Sequence, residues 1–124
     1  MILGIGADLV DVPDFERRVA RRSLLKVFSA EEIRYADSQP KRRTEILAAR
    51  WAAKEAFLKT LGTGLRVEWP LDQIEVVHDD AGRPSLKLGP RLAGLIPPGA
   101  AVHLTISHTP KQAIAVIIIE GVRP

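Results

Sequence analysis

Residues Arg42 to Gly64, RRTEILAARWAAKEAFLKTLGTG, are the stretch that most constrains the fold of this chain. Helix formers fill it, including the five alanines Ala48, Ala49, Ala52, Ala53 and Ala56, and no proline interrupts it. Gly62 stands where a helix would stop in a left-handed cap, and Gly64 follows. At about 100° per residue, Leu47, Trp51, Leu58 and Leu61 form one broad stripe, widened by Ile46, Ala53 and Phe57. A helix apolar on most of its circumference is predicted to lie largely buried. Glu55 and Lys59 share a neighbouring stripe with Ala48 and Ala52, so two opposite charges have small residues and open space beside them. Taken alone, such a pair reads first as a solvated surface contact.

The rest of the chain supplies partners for that helix. Met1–Asp8 reads as a strand in which Gly4 and Gly6 allow close backbone approach. Pro13 suits the first turn of a helix, with Asp11 as its N-cap and an end near Arg22. That helix is strongly basic through Arg17, Arg18, Arg21 and Arg22. Ser29-Ala30-Glu31-Glu32 is a capping box that starts a short helix to about Asp37. Ile74–His78 and Pro84–Leu88 read as a hairpin around the turn Asp79–Gly82. A short helix is expected over Pro90–Leu95, then two strands, Ala101–Ser107 and Ala113–Glu120, joined by a loop that begins at His108. Ile114–Ile119 is apolar at consecutive positions, so both faces of that strand need cover. In a chain this small, a neighbouring subunit can supply one of them.

Length and composition narrow the function classes. The 124 residues suffice for one core, and we expect a single domain over 1–124. The absence of cysteine excludes disulfides and thiolate metal sites. No signal peptide or membrane span is legible, so the expected location is cytoplasmic. A net charge of +3 and a pI near 9.6 favour an acidic partner or an anionic ligand. There is no phosphate-binding glycine loop of the nucleotide-hydrolase type, no HExxH and no nucleophile elbow. His78 and His103 lie inside strands and read as structural; His108, between Ser107 and Thr109, could hold an anion. Asp8 with Glu55 is the one carboxylate pair suited to a metal, since magnesium commonly takes two carboxylates and completes its octahedron with phosphates and water. A basic nucleic-acid-binding module would use Arg17–Arg22 and Arg42-Arg43, but aromatics are only 5% and no recognition signature is present. A non-catalytic nucleotide-binding subunit would not need both carboxylates.

Three blocks together resemble the holo-acyl-carrier-protein synthase family of 4′-phosphopantetheinyl transferases, in its small trimeric branch: GIGADLVDV at Gly4–Val12, RWAAKEAFLKTLGTG at Arg50–Gly64, and LTISHTPKQAIAVIIIE at Leu104–Glu120. The resemblance implies an α+β fold with the long helix packed on an antiparallel sheet. It implies transfer of the phosphopantetheine arm of coenzyme A to a serine of acyl carrier protein, in fatty acid biosynthesis, by a homotrimer with active sites at subunit interfaces. The implied metal ligands are Asp8 and Glu55, for magnesium or, alternatively, manganese. Lys59, Arg50 and Lys54 are implied to meet the phosphates; Gly62, Thr63 and Gly64 to bring backbone near the nucleotide; His108 and Thr109 to lie against it; and Pro84 to lie near the adenine. Neither membrane nor nucleic acid is an implied partner. One position departs from the family: Asp14 stands where many members carry a basic residue for docking the acidic carrier protein. Arg17, Arg18, Arg21 and Arg22 are the expected substitutes.

Overall fold

The structure, a computed structural model, describes residues 1–19, 24–62 and 70–122. Arg21, Arg22, Thr63 and Gly64 therefore fall outside the described residues. The long helix α3 (Arg43–Thr60) is the centre of the molecule. One side lies on an antiparallel sheet of β1 (Ile2–Asp11), β5 (Gln112–Glu120) and β4 (Ala101–His108), in the order β1-β5-β4. The other side faces α2 (Ala30–Asp37) and the hairpin of β2 (Ile74–His78) and β3 (Pro84–Leu88). Helix α1 (Val12–Val19) packs beside α3, and the four-residue α4 (Pro90–Ala93) follows β3. This is the expected α+β arrangement. Among the described residues, no helix is long and apolar enough to cross a membrane.

Local sequence explains most of these boundaries. Asp11 accepts the backbone N–H of Asp14 at 2.8 Å and so caps α1. Ser29 and Glu32 form the reciprocal capping box of α2. Gly62 adopts φ +73° just past the C-cap Leu61 of α3. The first strand runs three residues beyond its expected end at Asp8, because it pairs with β5 as far as Asp11 opposite Gln112. Asp8 is thus an interior strand residue rather than a terminal one. His108 is likewise the last residue of β4, not part of the following loop. The helix expected over Pro90–Leu95 ends at Ala93.

The core is aliphatic, as the low aromatic content requires. Leu47, Phe57, Leu58 and five alanines of α3 are buried against Ala113, Ala115, Ile117 and Ile119 of β5 and against Ile74 and Val76 of β2. A Cβ at Gly6 would lie 2.1 Å from the Ala56 carbonyl oxygen, so only glycine lets β1 sit this close to α3. Phe15 joins α1 to the core, with its ring 6.1 Å from Trp51 and 6.3 Å from Phe28.

Candidate active site

The close approach of β1 to α3 brings Asp8, Glu55 and Lys59 together. Lys59 Nζ donates to Asp8 Oδ1 at 3.0 Å and to the Ala7 carbonyl at 3.0 Å. The Asp8 side chain is 11% exposed, whereas that of Lys59 is 52% exposed at the rim. Glu55 is half-buried, and its carboxyl is pushed up to about 7, first by desolvation and then by Asp8, against the opposing pull of Lys59. The two acids lie close enough to share a proton. When both are ionised neither can donate, and the buried Asp8 Oδ2 then has no hydrogen-bond partner.

An unpartnered buried oxygen beside a second desolvated carboxylate fits a hard divalent cation. Magnesium is matched to such a donor set: two carboxylates, with the remaining positions left for phosphate oxygens and water. No cluster of three or more His, Cys, Asp and Glu side chains exists among the described residues, so this pair would hold the ion without a third protein carboxylate or imidazole.

Three other expected residues meet at the opposite edge of the sheet. Arg50, Pro84 and His108 line one cavity of about 140 Å³, together with Tyr35 and His78. Arg50 is buried. Its guanidinium donates to the Val76 carbonyl, lies 3.3 Å from His78 Nδ1 and sits 4.7 Å from the centre of the Tyr35 ring. Its Nε is a buried donor without a partner. Burial lowers the Arg50 pKa from its ordinary value, with Glu32 opposing. His78 stacks on Tyr35 at 5.3 Å; its pKa is lowered by desolvation and then by Arg50. His108 Nδ1 lies 2.7 Å from Glu45 Oε1.

Neither Asp8 nor Glu55 lines this cavity. Asp8 lies on β1 and His108 on β4, with β5 between them. Two inter-strand spacings set them about 10 Å apart across the sheet before side chains are counted. A separate cavity of about 340 Å³ opens between α1 and α3, with Glu55, Trp51, Phe15 and Leu9 in its walls and Asp14 and Arg18 at its edge.

Lys54 requires a correction. It was expected among the phosphate ligands, but it is fully buried on the far side of α3. Its ammonium donates to Glu32 Oε1 at 2.7 Å and to the Leu71 and Ile74 carbonyls, which uses all three of its hydrogens. The helical wheel puts Lys54 about 140° from Lys59, and that offset separates the two roles. Thr109 also differs from a simple ligand: its hydroxyl accepts the Lys111 and Gln112 N–H groups and closes the β4–β5 turn. Arg17 and Arg18 are exposed and share Asp14, at 3.5 and 3.3 Å.

Sequence reasoning missed Tyr35, His78 and Glu45. The first two come from different elements and meet only through the tertiary fold. Glu45 sits one turn into a helix, where an acid reads as ordinary. Glu32 carried a visible signal as a capping residue, but that signal accounts for only part of its bonding.

A sequence profile described as the 4′-phosphopantetheinyl transferase superfamily matches residues 4–117. The chain is 45% identical over 125 residues to the holo-[acyl-carrier-protein] synthase of Treponema denticola, covering 98% of this chain and 100% of that protein. It is 44% identical over 130 residues to the synthase of Syntrophus aciditrophicus, with 99% of each covered. A crystal structure of the Bacillus anthracis holo-(acyl-carrier-protein) synthase in complex with CoA (3′,5′-ADP) superposes with a TM-score of 0.81 at 33% identity, over 98% of this chain and 99% of that one. That of Neisseria meningitidis gives 0.83 at 31% identity, over 97% and 99%. With the profile spanning most of the chain and relatives matched end to end, this chain belongs to the 4′-phosphopantetheinyl transferase superfamily, among the holo-[acyl-carrier-protein] synthases.

Proposed function

We propose that this chain transfers the 4′-phosphopantetheine arm of coenzyme A to a serine hydroxyl of apo-acyl carrier protein, releasing adenosine 3′,5′-bisphosphate. The observation that carries this reading is the desolvated pair Asp8 and Glu55, with Lys59 on Asp8, in a chain of this family. In the reaction the serine oxygen bonds to the phosphorus on the pantetheine side of the pyrophosphate. The bond from that phosphorus to the bridging oxygen breaks, the bisphosphate leaves, and the serine proton is lost to a base.

Asp8 and Glu55 would hold magnesium, or manganese in its place, which when bound supplies neutralisation of the pyrophosphate charge. Lys59, at the rim, contributes its ammonium to the same phosphates while donating to Asp8. The turn at Gly62 admits backbone to the nucleotide, and Thr63 and Gly64, outside the described residues, would contact it too. Arg50, Pro84 and His108 receive the nucleotide end in their cavity, with Thr109 at the adjoining turn. The Arg50 guanidinium and the stacked Tyr35 and His78 rings in the cavity wall suit a planar, anionic ligand there. Arg17 and Arg18 face the acidic carrier protein beside the cavity between α1 and α3, and Arg21 and Arg22, outside the described residues, would add to that charge.

The working form in this proposal is a homotrimer whose sites lie between subunits, in the cytoplasm, serving fatty acid biosynthesis. Two features support a shared site: the separation of the carboxylates from the nucleotide cavity, and the uncovered face of the sheet. On that face Ile5, Ile118 and His103 form one row across the three strands, and Leu9, Ile114 and Ser107 another. The proposal is tested by incubating the chain with coenzyme A, magnesium and apo-carrier protein, then measuring the carrier's mass. Addition of the phosphopantetheine arm is expected. No gain with several carrier proteins would leave a nucleotide-binding role in its place.

A further inference from the structure

Glu45 holds a contact that the reaction scheme above leaves unused. It lies in the first turn of α3, and its side chain is only 13% exposed. Its Oε1 is 2.7 Å from Nδ1 of His108, whose side chain is 27% exposed at the end of β4. The two residues are 63 positions apart in sequence, so the contact is a product of the fold. A carboxylate accepts hydrogen bonds and cannot donate them, so Nδ1 carries the hydrogen. Among the described residues, Nε2 is then the ring nitrogen left for a ligand in the cavity with Arg50 and Pro84. A histidine whose second nitrogen is held by a carboxylate has its tautomer and ring plane fixed before a ligand arrives.

We propose that Glu45 is the positioning residue of the nucleotide end of the site: its carboxylate fixes the plane and tautomer of His108 and so presents Nε2 to the bound coenzyme A. This rests on the reading that His108 meets the nucleotide. Glu45 itself touches neither the nucleotide nor the reacting atoms, and its effect passes through one ring. The same contact ties the start of α3 to the end of β4, so a purely structural role is the alternative to be separated.

Two readouts make that separation. The first is kinetic, with Glu45→Ala, His108→Ala, the double variant and Glu45→Gln assayed with coenzyme A and apo-carrier protein. Glu45→Ala and His108→Ala should each raise the KM for coenzyme A by roughly 5- to 50-fold and leave the KM for carrier protein nearly unchanged. In the double variant the two effects should not add, because both act through the same ring. Glu45→Gln keeps an acceptor oxygen for Nδ1–H and should recover part of the loss. The second readout is the nitrogen NMR spectrum of the His108 ring in the free protein, which reports the tautomer without any substrate. Wild type should show Nδ1–H, and Glu45→Ala should show a mixture of ring forms. An unchanged ring spectrum in Glu45→Ala, or additive kinetic effects, overturns the inference. If His108→Ala itself leaves the KM for coenzyme A unchanged, the nucleotide reading fails, and the ring spectrum still decides whether Glu45 orders the histidine.

Discussion

Two carboxylates in one desolvated spot impose a cost that depends on pH. Glu55 is pushed up to about 7 in the folded chain against an ordinary value of 4.5, first because burial desolvates its charge and then because Asp8 stands beside it. Between those values the folded state binds more protons than the unfolded state, so in metal-free protein stability should fall as pH rises through this window and stay low above it. Asp8→Asn removes the like charge, and the Lys59 ion pair with it, so its melting temperature should fall less than that of wild type between about pH 5 and about pH 8. Transfer should be lost in the same variant. Melting curves in a chelator test this; parallel pH profiles for the two proteins would show that the carboxylates do not interact. Magnesium should raise the wild-type melting temperature above pH 7 far more than that of the variant, since it binds the ionised pair. Lys59 is the other half of this balance. A solvated helix lysine would cost at most about 0.5 kcal/mol of stability and no activity when replaced by alanine. A charge-assisted bond to phosphate predicts a loss of roughly 10- to 200-fold in kcat/KM for coenzyme A. Arginine should restore only part of it, because a planar fork does not occupy the place of a compact ammonium. A loss below about threefold, with folding intact, would return Lys59 to a surface role.

Helix α3 works because its two sides are closed by different chemistry. Toward the sheet the closure is steric. Gly6 stands against the Ala56 carbonyl, and Gly6→Ala should force β1 away from α3, at about 1–3 kcal/mol, while parting Asp8 from Glu55. A drop in magnesium-dependent stabilisation larger than the drop in melting temperature explains would mark the second effect. Toward α2 and the hairpin the closure is ionic. Glu32 accepts from Lys54 Nζ, from the Val76 N–H at 3.1 Å and from the Ser29 N–H at 3.0 Å. Burial lowers the Lys54 pKa, and Glu32 is the chief opposing influence. Removing one partner leaves a buried charge, so Glu32→Ala should cost about 3–5 kcal/mol, whereas Asp14→Ala, at an exposed pair, should cost about 0–1. Similar denaturation midpoints for these two variants would contradict the ionic closure. These elements show what was legible. The hairpin, the capping box and the glycine stop of α3 follow from short-range chemistry, and the structure has them where the sequence puts them. The strand ends were legible only to within a few residues, because β1 stops where β5 stops pairing with it, a fact held in another segment. The phosphate role of Lys54 is implied by the family resemblance, and nothing local in the sequence signals that its ammonium is buried. Its burial depends on Glu32, 22 residues earlier, and on two carbonyls at Leu71 and Ile74.

At the scale of the whole molecule, the sheet presents a face that a single chain does not finish. Ile5 is 64% exposed, Leu9 62% and Ile114 40%, and they lie on one face of the sheet, with the row of Ala7, Val116 and Thr105 between them. Soluble monomers rarely leave such a contiguous apolar face to water. The sheet also sets Asp8 of β1, with Glu55 of α3 beside it, away from the cavity beside β4. A closed ring of like subunits answers both problems, since a head-to-tail interface sets different edges of two chains against each other. If the proposed ring forms, Ile5→Glu should reduce it to monomers in light scattering and abolish transfer, although Ile5 lies on the face of the sheet away from α3. A sharper test mixes two inactive proteins. Asp8→Ala chains retain the nucleotide cavity, and His108→Ala chains retain the carboxylates. In a mixed ring of three, one of the three interfaces joins an intact carboxylate pair to an intact cavity. Random reassembly of equal amounts gives mixed rings in about three quarters of cases, so activity should recover to about one quarter of wild type. If each site were instead complete within its own chain, every chain in the mixture would carry one defect and mixing would recover nothing.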